Sequence, residues 1–284
     1  MKKILVPSDL SKLSEKALSL ANDLVQKTKG QIHLVSFIKH PFGKTFTATG
    51  EIKEKYADEE NIYTLELLKK SFNTLREMSS NYADAQIHYE VYDEDFDDGV
   101  IKYINDKNID LVVMGTTGEE NAKEVFTGNH AQQVIEAAPC PVLTVREKDT
   151  VGNLSKLVLG VDFDKDSHDN FLKAVSHINE LANDLGAEVY LLHVIDKGDS
   201  RDKAEEKLQT FAKDYGLSNY QTTIIEGDDE EKELIAYGHK INAGAVAVLT
   251  HADGGFFRVF ENNTSEELNK QSDIPVLTVN LHKV

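Results

Sequence analysis

The chain reads MGTTGEENAKEVFTGN from Met114 to Asn129, directly after an apolar run and directly before a helical pattern. Within this stretch, Gly115, Gly118 and Gly128 follow the spacing G-x2-G-x9-G. Glycine lets the main chain approach a ligand closely, and the free N–H groups of a helix start attract anions. The stretch therefore predicts a strand, a phosphate-binding loop and a helix. Its spacing differs from the dinucleotide fingerprint and from the Walker loop, so neither of those enzyme classes follows.

The two halves of the 284-residue chain repeat one sequence pattern, which we call the frame. Each half starts with a short apolar strand that ends in aspartate, Asp9 or Asp162, and each half ends with the string PVLTV. A repeat of this length indicates two similar domains, because the period of a solenoid is only about 20–50 residues. We predict a first domain over 1–148, which carries the glycine loop, and a second over 154–284.

Strand-like and helix-like segments alternate in both halves. The strands are mostly continuous apolar runs, as expected for parallel sheets that helices cover on both faces. The pattern predicts an α/β fold of two similar doubly wound domains, each with a mainly parallel five-stranded sheet. The predicted strands are Ile4–Val6, Ile32–Phe37, Ile87–Val91, Leu111–Met114 and Val142–Val145, then Val158–Val161, Val189–Val194, Gln221–Ile225, Ala245–Leu249 and Val276–Val279.

Apolar residues at helical spacing mark the helices. The first helix is predicted to end at Gly30, since glycine readily adopts the left-handed conformation found after helices. Its counterpart in the second half carries Leu172, Val175 and Leu185 on its apolar stripe. A long segment over 41–61 follows the second strand. It is a lid, a partner contact or a segment without fixed structure.

The ends of the strands locate the expected site and the expected contact between the halves. Ligands of doubly wound sheets lie beyond the carboxyl ends of the strands, and Asp9 and the Gly115 loop are both predicted there. The last strand of each half is an edge strand that needs covering. Pairing the two within the chain gives an intramolecular pseudo-dimer, and two such chains can associate further as a homodimer.

Composition narrows the class of protein. The formal net charge of −18 argues against nucleic acid and against an anionic membrane as partners. No apolar run reaches the length of a membrane span, and no signal peptide is recognisable at the start, so we expect a cytoplasmic protein. The single cysteine, Cys140, excludes an internal disulfide and is interpreted as a small buried residue. The histidines show no zinc-type spacing, so no metal site is predicted.

Three features together resemble one family: VPSD at the end of the first strand, the glycine loop, and PCPVLTV as the last strand of the first half. This combination is similar to the universal stress protein family in its tandem, two-domain form. The resemblance implies the adenine-nucleotide alpha-hydrolase-like fold, with a bound adenine nucleotide in some members and none in others. It also implies cytoplasmic stress-response roles without a well-defined reaction, and domains paired through their last strands.

The resemblance also implies a nucleotide site in the first half. Asp9 matches an aspartate beside the adenosine part, and Phe37 matches a position whose backbone faces adenine. Asn129 stands where ATP-binding members usually carry serine, and His130 follows it. The implied site residues are Pro7, Asp9, Phe37, Met114, Gly115, Gly118, Gly128, Asn129 and His130.

Each of these residues also has a structural interpretation. Asp9 can cap the first helix, Phe37 can fill the pocket instead of stacking on a purine, and Asn129 can serve as a helix cap. Gly115 and Gly118 can serve a tight loop alone. Lys123, the only basic residue of the loop, is interpreted as solvated because acidic neighbours surround it, unless they share a Mg²⁺.

The second half is predicted to lack a nucleotide site. Thr250, Asp253 and Asn262 stand where the first half has its three glycines, and the half carries more net negative charge. Two functions remain open. One is a regulatory protein that binds ATP or a related adenine nucleotide, with or without Mg²⁺, in the first half and acts on an unidentified protein partner. The other is a nucleotide-free scaffold; a slow ATPase with Asp9 as its base is a weaker third reading.

Overall fold

The computed structural model describes residues 1–38, 58–116, 128–161, 163, 171–250 and 274–284. The first half contains β1 (Lys3–Pro7), α1 (Lys12–Thr28), β2 (Gln31–Phe37), α2 (Asp58–Ser80), β3 (Gln86–Tyr92), α3 (Phe96–Lys107), β4 (Leu111–Gly115), α4 (Gly128–Ala137) and β5 (Val142–Val145). The second half contains β6 (Asn153–Gly160), α5 (Phe171–Leu185), β7 (Glu188–Ile195), α6 (Arg201–Asp214), β8 (Tyr220–Glu226), α7 (Glu230–Lys240), β9 (Ala243–Thr250) and β10 (Val276–Asn280).

The strands form one sheet in the order β3-β2-β1-β4-β5-β10-β9-β6-β7-β8. All neighbouring strands within a half are parallel, whereas β5 and β10 are antiparallel, with Leu143 opposite Leu277. The predicted α/β fold with two five-stranded parallel sheets is therefore confirmed. The predicted pairing of the last strands is also present, and it joins the halves into a pseudo-dimer.

Helices cover both faces of this sheet. Alternate residues of β1 point to opposite faces, so Ile4 and Val6 belong to one buried cluster and Leu5 to another. The first cluster also contains residues of α1, α2, α5 and α6, and α1 packs directly against α5. The opposite face is covered by α3 and α4 in the first half and by α7 in the second. The core on the first face is thus shared by both halves.

Two details of the helices differ from the sequence-based expectation. The left-handed residue after α1 is Lys29 (φ 58°), one position before Gly30, and its N–H donates to the Val25 carbonyl at 2.8 Å. In α5, Phe171 is buried whereas Leu172 is 59% exposed. The second difference reflects tertiary packing, since Phe171 and Leu172 both fit the helical spacing of the apolar stripe and Phe171 is the one that is buried.

The connection between the halves is tied to the first half. Arg146 and Asp149 are both buried, and the Arg146 Nε donates to Asp149 Oδ1 at 3.0 Å. Burial raises the pKa of Asp149 above its usual value, and the Arg146 guanidinium partly offsets that effect. The Lys16 ammonium on α1 donates to the carbonyls of Glu147 and Asp149 at 2.5 and 2.6 Å. A stretch that is polar in sequence is therefore a fixed connection.

Candidate functional site

The carboxyl ends of β1, β2 and β4 lie side by side in the first half. Pro7 is the last residue of β1, Phe37 of β2 and Gly115 of β4, and β1 pairs with both other strands. Met114 precedes Gly115 and is fully buried. The fold thus brings four of the nine predicted site residues to one edge of the sheet, and Asp9 follows directly after β1.

The predicted phosphate loop lies mostly outside the described residues. Gly118 and Lys123 are not among the described residues. The same holds for most of the connecting segment after β2 and, in the second half, for Asp162 and 251–273. Gly128 and Asn129 are the first two residues of α4. The last residues of the predicted 41–61 segment are helical, because α2 begins at Asp58.

Asp9 lies in a tight hydrogen-bonded turn before α1. Its Oδ1 accepts from the Ser11 N–H at 3.0 Å and from the Ser14 hydroxyl, and its own N–H donates to Ser14 Oγ at 3.1 Å. The N-cap of α1 is Ser11, whose side chain accepts from the Ser14 N–H. Leu10 adopts a φ of 68°, and its N–H donates to Ser8 Oγ at 3.1 Å. Such a φ is costly for a residue with a side chain, and it persists only where surrounding contacts maintain it. Here the hydrogen bonds of the serines hold the Asp9 carboxylate and this turn in a defined place.

Gly115 is required by helix packing. A Cβ at this position would overlap the Leu13 side chain and lie 3.2 Å from the Leu13 carbonyl carbon. Only glycine lets α1 approach the end of β4 so closely. The chain then continues as a strand extension, because the buried Thr116 donates its N–H to the Val145 carbonyl at 3.0 Å. Gly115 therefore brings the start of α1 next to the start of the glycine loop.

Phe37 belongs to the core between the sheet and α3. Its ring stacks on Tyr92, with centroids 5.8 Å apart, and contacts the rings of Phe96 and Tyr103 at 6.0 and 6.4 Å. Gly99 makes this possible, because a Cβ there would lie 2.5 Å from Phe37 Cδ1. The side chain is 8% exposed. The structure therefore favours the filling role over stacking on a purine.

His130 connects α4 to the start of α3. Its Nδ1 lies 2.9 Å from Asp97 Oδ1, and its ring contacts the Phe96 ring edge-on at 4.8 Å. The Gln133 amide is oriented with its nitrogen toward Asp97, because the nitrogen then faces acceptors and the oxygen faces donors. In this orientation the nitrogen lies 2.7 and 3.0 Å from the two carboxylate oxygens of Asp97. Asp97 thus accepts from two residues of α4. The ring contacts from Phe37 through Phe96 to His130 place the first turn of α4 at the same edge of the sheet.

A buried polar network lies beneath Phe37. His33 Nδ1 is 2.8 Å from the Tyr103 hydroxyl, which donates to Glu90 Oε2 at 2.6 Å. Burial lowers the pKa of His33 to about 4, and burial together with the Glu90 carboxylate raises the pKa of Tyr103. Both groups are therefore neutral at neutral pH. No sequence motif predicts this network, and its one signal in the sequence is a histidine, His33, on an apolar strand.

A groove among the described residues lies elsewhere in the first half. It has a volume of about 640 Å³ and runs between α3 and α4. Its polar lining residues are Asp97, Asp98, Lys102, Asn105, Gln133 and Glu136. None of the nine predicted site residues lines it. The groove is therefore distinct from the strand ends where the nucleotide is expected.

The described residues give no support for a reactive cysteine, a metal site or a membrane-spanning helix. Cys140 is buried, and burial raises its pKa to about 12, so its thiol is protonated at neutral pH. Across the described ranges, no three His, Cys, Asp or Glu side chains are grouped so that they could hold a metal ion. No helix in those ranges combines the length and the apolar character needed to cross a membrane.

At the corresponding edge of the second half, β9 ends at Thr250, the residue aligned with Gly115. His193 Nδ1 lies 2.8 Å from the Val161 carbonyl oxygen, and its ring contacts Phe163 at 4.8 Å. These contacts give His193 a structural role near the end of β7. Asp253 and Asn262, on which the predicted loss of the second site rests, lie outside the described residues.

The family model of the universal stress protein family matches residues 1–146 and 153–280. A universal stress protein of Methanocaldococcus jannaschii is 28% identical over 148 residues, which are 51% of this chain and 82% of that protein. The crystal structure of a universal stress protein from Archaeoglobus fulgidus is similar over 98% of this chain and 96% of its own, with 21% identity and a TM-score of 0.61.

A further structural likeness shows how widely this fold is used. The cytoplasmic domain of a prokaryotic cation chloride cotransporter covers 100% of this chain and 97% of its own, with a TM-score of 0.57. Its sequence identity is 13%, so this likeness shows the fold alone. Since one fold supports different functions, function has to be argued from the site.

Proposed function

The chain belongs to the universal stress protein family, and on that premise we propose that it is a regulatory protein of the stress response whose first half binds ATP or another adenine nucleotide. The nucleotide changes a surface of the protein that a partner protein recognises. The second half binds no nucleotide. The protein acts in the cytoplasm and carries out no reaction beyond weak ATP hydrolysis at most.

The observation that supports this proposal most strongly is the meeting of three elements at one edge of the sheet. The ends of β1 and β4 are neighbours, and the first turn of α4 reaches the same edge through Phe96 and His130. The glycine loop connects β4 to α4. The N-terminal end of α4, with the free N–H groups and positive dipole end of a helix start, therefore lies at this edge, which favours a phosphate.

The nine residues have distinct roles in this proposal. Main-chain N–H groups of Gly118, Gly128 and Asn129 hold the phosphates, with Mg²⁺ as a partner of the phosphate oxygens. Asp9, fixed by Ser11 and Ser14, faces the adenosine part. Pro7, Phe37, Met114, Gly115 and His130 shape the edge and its supports.

A thermal-shift experiment on the full chain tests the proposal. We expect ATP·Mg²⁺ to raise Tm, because a ligand that binds only the folded state at a hundredfold excess over Kd stabilises it by about 2.7 kcal/mol. In Gly118→Asp a side chain and a negative charge occupy the phosphate position, so the shift should vanish. Gly255→Asp makes the same change in the loop of the second half and should keep the shift.

Two results would contradict the proposal: no shift in the parent protein, or an equal shift in the parent and in Gly118→Asp. Loss of the shift in Gly255→Asp as well would contradict the restriction of binding to the first half. Denaturing the purified protein and analysing the supernatant for nucleotide gives an independent check.

A nucleotide-free scaffold is the second candidate, and two observations favour it. Gly115 is already explained by packing against Leu13, and Asp9 by its turn with the serines. In addition, α2 exposes an apolar stripe formed by Ile62, Leu65 and Phe72, which are 55%, 47% and 42% exposed. A scaffold needs such a contact surface and no ligand.

A further inference from the structure

The C-terminal end of α4 lacks part of its own hydrogen bonding. In an α-helix each carbonyl accepts from the N–H four residues later. For Ile135 and Ala137 those residues are Pro139 and Pro141, which have no N–H. The last bond of the regular pattern runs from the Ala138 N–H to the Val134 carbonyl, at 2.8 Å. The carbonyls after Val134 therefore need donors from outside the helix.

Asn280 supplies these donors from the other half of the molecule. Its Nδ2 donates to the carbonyls of Ile135 and Glu136 at 3.2 and 2.9 Å. Its Oδ1 accepts from the His282 N–H at 2.9 Å, which fixes the orientation of the amide. Asn280 is 2% exposed. A buried amide bonded at both ends is costly to disturb, because its partners lose their bonds as well.

Asn280 is the last residue of β10, the strand that pairs with β5 across the junction of the halves. The hydrogen bonds thus join the second half to the helix that begins at Gly128. Because α4 has only 10 residues, it is not stable by itself and depends on its contacts. At its other end, His130 and Gln133 bind Asp97. The second half therefore fixes one end of α4, and α3 fixes the other.

We propose that Asn280 is a positioning residue: by holding the C-terminal carbonyls of α4, the second half keeps the Gly128–Asn129 helix start in place for the nucleotide bound by the first half. The second half would then be a required part of the site, although it binds no nucleotide itself. The consequence for ligand binding rests on the proposed function. The anchoring of α4 rests on the hydrogen bonds of Asn280 and does not depend on that function.

The repeat allows the contact of Asn280 to be compared with that of an equivalent residue in the first half. Arg146 follows the first PVLTV string as Asn280 follows the second. The Arg146 side chain bonds Asp149, three residues later in the same connection. Asn280 instead bonds residues that are 144 and 145 positions away. Among the described hydrogen bonds, the Arg146 side chain thus bonds within its own half, whereas Asn280 connects the second half to α4.

Hydrogen exchange of the full-length protein tests the anchor without any ligand. In Asn280→Ala, the α4 amides should exchange at least about fivefold faster, since two hydrogen bonds to the helix are lost. Asn280→Asp is the second variant: it keeps the shape of the side chain and the acceptor for the His282 N–H, but it cannot donate to the carbonyls. The matched control is Asn219→Ala, which removes an amide bond to the Ala187 carbonyl within the second half.

Nucleotide titration of the same proteins tests the positioning. We expect ATP·Mg²⁺ to bind Asn280→Ala and Asn280→Asp about three- to tenfold more weakly than the parent, from the loss of one to two hydrogen bonds. Asn219→Ala should bind like the parent even where its global stability falls. This difference separates positioning from a general loss of stability.

Unchanged α4 exchange in both Asn280 variants would overturn the anchor. Faster α4 exchange together with an unchanged Kd would overturn the positioning role. A parent protein that binds no nucleotide would instead overturn the proposed function, and the exchange rates would still decide whether Asn280 holds α4.

Discussion

The two halves share a frame of strands and helices but differ at equivalent positions. Gly115 at the end of β4 corresponds to Thr250 at the end of β9, and His33 in β2 corresponds to Tyr190 in β7. In the first half these positions allow close packing of α1 and place a titratable ring in the core. In the second half they carry ordinary strand residues. The same arrangement of strands and helices therefore tolerates either residue set, and the glycine pattern that suggests a phosphate site occurs in the sequence of the first half.

The largest expected effect comes from giving the first half the residue of the second at the end of β4. Gly115→Thr places a branched side chain against Leu13, where even a Cβ has no room. Overpacking of this kind should destabilise the protein by about 3 kcal/mol. The measurement is the urea midpoint, with Gly216→Ala as the control, because a Cβ at Gly216 meets no atom and costs only the strain of its positive φ. A midpoint for Gly115→Thr equal to that of the control would show that α1 and β4 are not packed so closely.

An intermediate effect is expected from Phe37→Val, which introduces the residue of the second half, Val194. The smaller side chain leaves a cavity among Tyr92, Phe96 and Tyr103, and it should cost about 2–3 kcal/mol of stability. Because the ring is packed against α3, the Kd for ATP·Mg²⁺ should stay within about twofold of the parent value. A much weaker Kd at conditions where the variant is fully folded would show that the ring contributes to nucleotide binding, by contact with the purine or by its support of α4 through Phe96 and His130.

The smallest effect is a difference in acid sensitivity between the equivalent positions His33 and Tyr190. Burial lowers the pKa of His33 to about 4, so the unfolded chain binds a proton more readily than the folded one. Stability should therefore fall as pH drops from about 6.5 to 4, by roughly 1–2 kcal/mol. Tyr190 has no such effect, since its pKa is raised to about 12 by its hydrogen bond to Glu188.

The acid sensitivity can be checked by urea unfolding at several pH values. His33→Tyr, which copies the second half, should remove this part of the pH dependence. A slope between pH 6.5 and 4 that is identical in parent and variant would show that the acid sensitivity arises from other groups.

Most of the fold could be predicted from the sequence because its signals are local. Apolar runs, most of them continuous, located the strands, and the PVLTV strings indicated the pair that joins the halves. The start of β6 was predicted too late, at Val158, because its polar first residues are held by β9 through a shifted register. Phe171 replaced Leu172 in the core for a similar reason, since the choice depends on neighbours distant in sequence.

The candidate site was predicted only in its local parts. The strand ends and the start of α4 followed from the glycine pattern and from the family resemblance. The contacts that support these elements did not follow from the sequence, because they join distant residues. Asp97 is 33 residues from His130, and Asn280 is 145 residues from Ile135. Such contacts depend on how helices and strands are packed, which a single sequence does not reveal. The contacts that position the strand ends and α4 were therefore harder to predict than the strand ends themselves.

The central claim is that one half of this repeated frame binds a nucleotide and the other does not. Isothermal titration of the full chain with ATP·Mg²⁺ measures this directly through the stoichiometry. The account predicts one nucleotide per chain in the parent protein and none in Gly118→Asp. A stoichiometry of two, or one nucleotide that persists in Gly118→Asp, would contradict it.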